Sequence, residues 1–140
     1  MSDRIDPVPA LSEAQLLDLG ARAFRGLGLP AADAARVVRI LVTADLFGLS
    51  THGLSRIESY GERLAIGGIN PRPAIAVEKV APALCKIDGD NGVGPLVGMC
   101  ALDAAMQAAR ECGVGVALAR ASNHFGPISP YSLIAAEAGF

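Results

Sequence analysis

Apolar residues in the first part of the chain recur with the three-to-four-residue spacing of amphipathic helices. Ser12 and Gln15 have the spacing of a capping box, which predicts that the first helix begins there and ends at the glycines from Gly26 onward. A second helix is predicted over residues 31–47, with Pro30 in its first turn. The predicted core positions of these two helices are Leu16, Leu17, Leu19, Ala23, Phe24, Val37, Val38, Leu41 and Val42.

A third helix is predicted from His52 to the glycine pair at residues 67–68, with Leu54, Ile57 and Leu64 in its core stripe. Ser50 or Thr51 would cap it. In a continuous helix His52, Arg56 and Tyr60 would project from one face, because residues four apart are neighbours. That face would suit a small anion, since a guanidinium matches a carboxylate and the other two groups add donors. The alternative is an ordinary solvated helix face.

The second part of the chain predicts a small sheet. Two β-like runs, residues 74–80 and 83–87, predict a hairpin, and the sequence G-D-N-G at residues 89–92 predicts a turn. Residues 114–119 are apolar throughout, which predicts a buried strand.

The remaining segments complete a predicted α/β fold of α+β character, in which a helical bundle packs on the small sheet. A fourth helix is predicted from residue 93 or 95 to residue 112, and an apolar helix from residue 129 to residue 140. Residues 1–10 contain two prolines and predict a flexible arm. We divide the rest into a helical substrate-site part, residues 11–70, and a sheet/helix part, residues 71–140. The ending at residue 140 predicts a truncated chain.

Charge and composition narrow the possible partners. The net charge is −2 and the Lys and Arg residues are scattered, which argues against nucleic acid and against a polybasic membrane contact. Hydrophobic residues make up 51% of the chain, but no run reaches the ~18 apolar residues of a membrane span. Acids and prolines near the start are untypical of a signal peptide, so we expect a cytoplasmic protein. The three cysteines lack metal or redox spacing.

The second of the two histidines, His124, follows the apolar run 114–119 in the sequence S-N-H-F-G. An imidazole there could exchange a proton near neutral pH, or it could be a structural group bonded to a backbone carbonyl. Neither histidine has the spacing of a metal pair with Asp45, Asp88 or Asp90, so no metal site is predicted.

The glycine-rich run 92–98 resembles a dinucleotide fingerprint only partly. It is G-x-G-x-x-x-G, one residue too long, and Arg120 stands where the ribose-binding acid would be. Close helix packing is the favoured interpretation, and a mononucleotide site is a rival.

Four motifs in order resemble the N-terminal part of the type 2 malate/L-lactate dehydrogenase family, which has a non-Rossmann, sulfolactate-dehydrogenase-like fold. The motifs are A-D-L-F-G-L-S-T-H-G-L-S-R-I-E-S-Y, G-G-I-N-P-R-P, I-D-G-D-N-G-V-G and A-S-N-H-F-G-P-I-S-P-Y. The resemblance implies a homodimeric oxidoreductase that uses NAD or NADP on a 2-hydroxy acid and its 2-oxo acid, or on a cyclic imino acid.

The resemblance also implies residue roles. His124 would be the catalytic proton donor, and Arg56 would pair with the substrate carboxylate. The implied pocket residues are Thr51 or Ser50, His52, Tyr60 and Tyr131. Thr51 stands where many members have Ser, and Pro95 replaces an expected Gln. Because family chains are more than twice this long, the alternative is a truncated, non-catalytic helical module that needs a partner chain.

Overall fold

The computed structural model describes residues 10–140, so nearly all of the predicted arm lies outside the described residues. The predicted α/β class is confirmed: helices pack on a three-stranded sheet. In chain order the elements are α1 (Glu13–Gly26), α2 (Ala31–Leu46), a 3₁₀ turn (Ser50–His52), α3 (Arg56–Ala65), β1 (Ala76–Ala81), β2 (Leu84–Gly92), α4 (Gly94–Cys112), β3 (Val116–Ser122) and α5 (Ser129–Glu137).

The predicted capping box begins α1. The Ser12 hydroxyl accepts a hydrogen bond from the Gln15 amide at 3.3 Å, and the Gln15 side chain accepts one from the Ser12 amide at 2.8 Å. Pro30 differs from the prediction, because it is the N-cap of α2 and not part of its first turn. The largest core joins α1, α2 and α3 to the start of α4, and its buried members include Phe24, Val37, Val38, Leu41, Val42, Tyr60, Leu64, Ile69, Val93 and Leu96.

The predicted continuous helix from His52 is wrong. His52 ends a 3₁₀ turn, and α3 begins only at Arg56, with Ser55 as its N-cap. The backbone breaks at Gly53, and the Leu54 amide donates to the Asp45 carboxylate at 2.8 Å where a helix would use a carbonyl. His52 therefore does not lie one helical turn below Arg56 on a shared face.

The predicted hairpin is confirmed, since β1 and β2 pair antiparallel, but the predicted turn at residues 89–92 is not a chain reversal. Strand β2 continues to Gly92. Asp90 and Asn91 nevertheless have the left-handed conformation typical of turns, with φ of 47° and 55°. The result is a kink within β2 that interrupts its pairing with β3 between Asp88 and Gly92.

The prediction of a buried strand at residues 114–119 is also wrong. Strand β3 pairs parallel with β2 at one edge of the sheet, and its Val116 and Leu118 are 45% and 58% exposed. Helix α4 covers one face of the sheet, packing Val97 against Cys85 and Ile87 of β2. Among the described residues the opposite face forms an open groove of about 590 Å³. A continuous apolar run therefore did not imply cover on both faces.

Between residues 10 and 140, none of the helices combines the length and the apolar character that crossing a membrane requires.

Candidate active site

The site centres on a contact between His124, in the loop after β3, and Tyr60 of α3. The Tyr60 hydroxyl lies 2.8 Å from Nδ1 of His124 and 2.9 Å from the His124 carbonyl oxygen. The Tyr60 side chain is only 3% exposed, whereas His124 lies at the surface. A buried core residue therefore holds an imidazole that lies at the surface.

The two contacts select one tautomer of His124. The carbonyl oxygen can only accept, so the single Tyr60 proton satisfies both contacts only when it points to that carbonyl. The phenolic oxygen then accepts from Nδ1–H of His124. The proton assignment follows from this hydrogen-bond network. Nδ1 is committed to Tyr60, and Nε2 is the ring atom that can exchange a proton.

His52 and Arg56 reach the same place from the segment before α3. The rings of His52 and His124 have centroids 5.4 Å apart, with 33° between their planes. Thr51 fixes His52 through a contact of 3.0 Å between its hydroxyl and Nδ1 of His52. The Arg56 Nε donates to the Thr51 carbonyl at 2.7 Å, which leaves the two terminal guanidinium nitrogens unbonded within residues 10–140.

The electrostatics favour a neutral Tyr60 and a neutral His124. Burial raises the pKa of Tyr60 to about 12, although the Arg56 charge opposes the rise. Burial also lowers the pKa of His124, and the charge of Arg56 and the nearby His52 lower it further. His124 therefore carries less positive charge at neutral pH than an ordinary histidine.

Arg56 also lines a shallow cleft of about 390 Å³ on the surface of α3. The same cleft contains Glu58 and Glu62, whose charges would repel an anion. An anion would therefore be better accommodated on the side of Arg56 that faces His124.

Tyr131 lies near the site but is buried. Its hydroxyl donates to the Phe125 carbonyl, one residue beyond His124, and its ring packs against Gly98 of α4. Burial raises the pKa of Tyr131, and Tyr60 contributes to the rise. Tyr131 supports the loop that carries His124.

The glycine-rich run at the start of α4 is filled by the protein itself. A Cβ built on any of the three glycines would come within 3.0 Å of a neighbouring atom. The neighbours are Pro73 for Gly92, the backbone of Asn123 and His124 for Gly94, and the Tyr131 ring for Gly98. The residues present do not fit a dinucleotide pyrophosphate, which needs open backbone at this turn.

The structure thus gathers Thr51, His52, Arg56, Tyr60 and His124 in one place. Sequence reasoning missed two supporting residues, Asp45 and Asn123. Asp45 holds the Gly53 turn, and Asn123 bonds the end of β2. Asn123 stands next to His124 in its motif, and that adjacency was the available signal. Nowhere in residues 10–140 do three His, Cys, Asp or Glu side chains gather as metal ligands.

Residues 11–140 match the sequence profile described as malate/L-lactate dehydrogenase. The chain is 41% identical over 118 residues to malate dehydrogenase of Pyrococcus horikoshii, covering 84% of this chain and 33% of that protein. It is 43% identical over 112 residues to L-sulfolactate dehydrogenase of Methanocaldococcus jannaschii, covering 80% of this chain and 33% of that protein. It is 35% identical over 113 residues to ureidoglycolate dehydrogenase (NAD(+)) of Escherichia coli, covering 81% of this chain and 32% of that protein.

Solved structures agree with these sequence matches. Malate dehydrogenase from P. horikoshii superimposes with a TM-score of 0.90 at 36% identity, covering 99% of this chain and 40% of that one. Δ1-piperideine-2-carboxylate reductase from Pseudomonas syringae superimposes with a TM-score of 0.86 at 30% identity, covering 94% of this chain and 40% of that one. The chain spans about a third of the length of the curated relatives it matches.

Proposed function

We infer that this chain, which belongs to the malate/L-lactate dehydrogenase family, forms part of the substrate site of an NAD- or NADP-dependent oxidoreductase. The proposed reaction interconverts a 2-hydroxy acid and its 2-oxo acid by hydride transfer. Malate, sulfolactate and ureidoglycolate, which appear in the names of relatives, are all 2-hydroxy acids. Reduction of a cyclic imino acid is the other substrate class, supported by the reductase from P. syringae.

One observation carries the proposal: Tyr60 binds Nδ1 of His124 and leaves Nε2 for the substrate. Hydride addition to a carbonyl carbon places negative charge on its oxygen, which a positioned acid can neutralise. In reduction, Nε2–H of protonated His124 gives its proton to that oxygen. In oxidation, neutral Nε2 accepts the proton of the substrate hydroxyl. General acid–base catalysis of this kind contributes about 10²–10⁴ in rate.

Arg56 is the proposed partner of the substrate carboxylate. Its Nε bond to the Thr51 carbonyl orients the guanidinium, and its remaining nitrogens provide the planar pair of donors that a carboxylate accepts. The proximity of its charge to His124 supports this placement. Thr51 and His52 would complete the pocket wall.

Tyr60 and Tyr131 have supporting roles in this proposal, because both side chains are buried. Tyr60 orients His124, and Tyr131 holds the Phe125 carbonyl. The proposed carboxylate-binding residue then lies in residues 11–70 and the proposed proton donor in residues 71–140. Both parts share one hydrophobic core.

NAD is supported by the name of the ureidoglycolate relative, and NADP is the alternative. Because protein fills the glycine-rich turn, residues 92–98 are not assigned to cofactor binding. A homodimer and a cytoplasmic location complete the proposal, and both rest on the resemblance and the composition.

The test is turnover by the full-length protein that contains this chain, with NADH or NADPH and a panel of 2-oxo acids and cyclic imino acids. His124→Ala should abolish turnover while nucleotide binding, measured by fluorescence titration, is retained. Normal turnover in that variant would exclude His124 as the proton donor.

A second candidate is a non-catalytic module that needs a partner chain. The exposed Val116 and Leu118 on an edge strand favour it, since such surfaces commonly mark a protein contact. Nicotinamide titration distinguishes the two functions, because a dehydrogenase binds the cofactor and a module of this kind does not.

A further inference from the structure

The kink at the end of β2 contacts the loop that carries His124. Non-glycine residues rarely adopt the left-handed conformation, and Asp and Asn adopt it most readily. Asp90 and Asn91 both do so. The Asn91 carbonyl consequently bonds outside the sheet, where it accepts from the Asn70 amide at 2.9 Å.

The side-chain amide of Asn123 is the group that contacts this kink. Its Nδ2 lies 3.1 Å from the Asn91 carbonyl oxygen, 3.1 Å from the Asn91 Oδ1 and 3.0 Å from the Gly92 carbonyl oxygen. All three partners are acceptors here, so the nitrogen end of the Asn123 amide must face them. Because Asn123 directly precedes His124, this contact fixes the peptide from which the imidazole projects.

The kink is itself held on its far side by the loop between α3 and β1. The Asn91 Nδ2 donates to the Gly68 carbonyl at 3.1 Å. The Asp90 carboxylate accepts from the Asn70 side chain at 3.0 Å and from the Ala74 amide at 2.9 Å. The acceptors that Asn123 meets are therefore anchored independently of the His124 loop.

We propose that Asn123 is a positioning residue for His124, holding its peptide against the residue 90–91 kink while Tyr60 holds its Nδ1. The inference deepens the proposed function and rests on it. It also explains why the chain contains both G-D-N-G and S-N-H-F-G, because each motif supplies one side of the same contact.

The test uses Asn123→Asp in the full-length protein, because this change keeps the shape and replaces the donor with an acceptor facing three oxygens. We expect kcat to fall about 10- to 100-fold, since a catalytic group displaced by about 1 Å can lose that much. KM for the acid should be unchanged, because Arg56 lies on a different element. Asn123→Ala introduces no repulsion and should reduce kcat by a smaller factor. It serves as the test if the aspartate variant does not fold.

The matched control is Gln107→Glu, the same amide-to-carboxylate change on the exposed side of α4, where the amide also faces an acceptor, Glu111. It should retain wild-type kcat. NMR of the His124 ring nitrogens provides a second readout, because the wild type should show the Nδ1–H tautomer and the Asn123 variants a shifted signal. Circular dichroism gives the folded fraction, against which kcat is normalised.

A folded Asn123 variant with wild-type kcat, or with unchanged His124 ring signals, would overturn the inference. If the wild type converts none of the acids, the proposed function fails on its own. The NMR comparison then still decides whether Asn123 sets the position of His124.

Discussion

Gly94→Ala should displace the loop that carries His124 without removing any side chain of the candidate site. Gly94 is the first residue of α4, and a Cβ there would penetrate the backbone of Asn123 and His124, well inside the 3.0 Å below which a neighbour must shift. Backbone cannot rotate away as a flexible side chain can. We therefore expect overpacking to cost about 1–3 kcal/mol of unfolding free energy.

The same displacement should affect catalysis. A shift of about 1 Å at a reacting group can reduce the rate about 100-fold. We expect kcat to fall by about that factor, while the KM values for acid and cofactor stay unchanged. The loss of unfolding free energy should also lower Tm, by at most about 2–4 °C per kcal/mol, because this shift becomes smaller as protein size increases. Steady-state kinetics and calorimetry on the full-length protein measure both effects.

Gly26→Ala is the matched control, because no atom lies within 4 Å of a Cβ built on this last residue of α1. Helix propensity predicts a gain of up to about 1 kcal/mol and unchanged activity. Wild-type kcat and Tm in Gly94→Ala would refute the reasoning. Loss of nucleotide affinity with normal kcat would instead support the rival, in which residues 92–98 bind a mononucleotide.

Three further changes test other contacts. Tyr60→Phe removes two hydrogen bonds to His124, so the unfolding free energy should fall by about 1–3 kcal/mol. The kcat should also fall while KM is retained. An unchanged Tm in calorimetry together with an unchanged kcat would contradict this expectation. Gly53→Ala would displace the Asp45 carboxylate from the turn, because a Cβ there would overlap it, and should lower the unfolding free energy by about 1–3 kcal/mol. The same change in an Asp45→Ala background should lower it by less. Equal losses in the two backgrounds would argue against the contact. Arg56→Gln should raise KM for acids and also raise the pKa of His124, since burial first and the Arg56 charge second keep it low. In oxidation the required neutral base would then form only at higher pH, so the acidic limb of the kcat/KM profile should move to higher pH, and an unmoved limb would exclude that coupling.

The early part of the chain could be predicted closely from sequence because its signals are local. The capping box at Ser12 and the apolar spacing of α1 and α2 depend only on neighbouring residues. The structure confirms them except at Leu19, a predicted core position that is 44% exposed. The hairpin and the limits of α4 followed in the same way from turn residues and glycines. The four motifs also predicted the family, which the comparisons confirm.

The errors arose where a distant contact overrode a local pattern. The 50–56 segment has helical spacing, yet the Asp45 carboxylate accepts from the Leu54 amide and the helix starts later. The 114–119 run is uniformly apolar, yet its burial depended on how many layers cover the sheet. Periodicity reports which residues can share a face, not which contacts will cover that face.

The sequence alone determined the helices apart from the start of α3, together with the hairpin, the family and the two candidate histidines. Only the tertiary structure decided that His52 meets His124 through space, that Tyr60 fixes the tautomer and leaves Nε2 accessible, and that Asn123 anchors the loop to β2. These contacts join residues separated by up to 72 positions, as the His52 and His124 numbers show. Contacts over such separations form only once the core has set the backbone positions, so no local pattern encodes them.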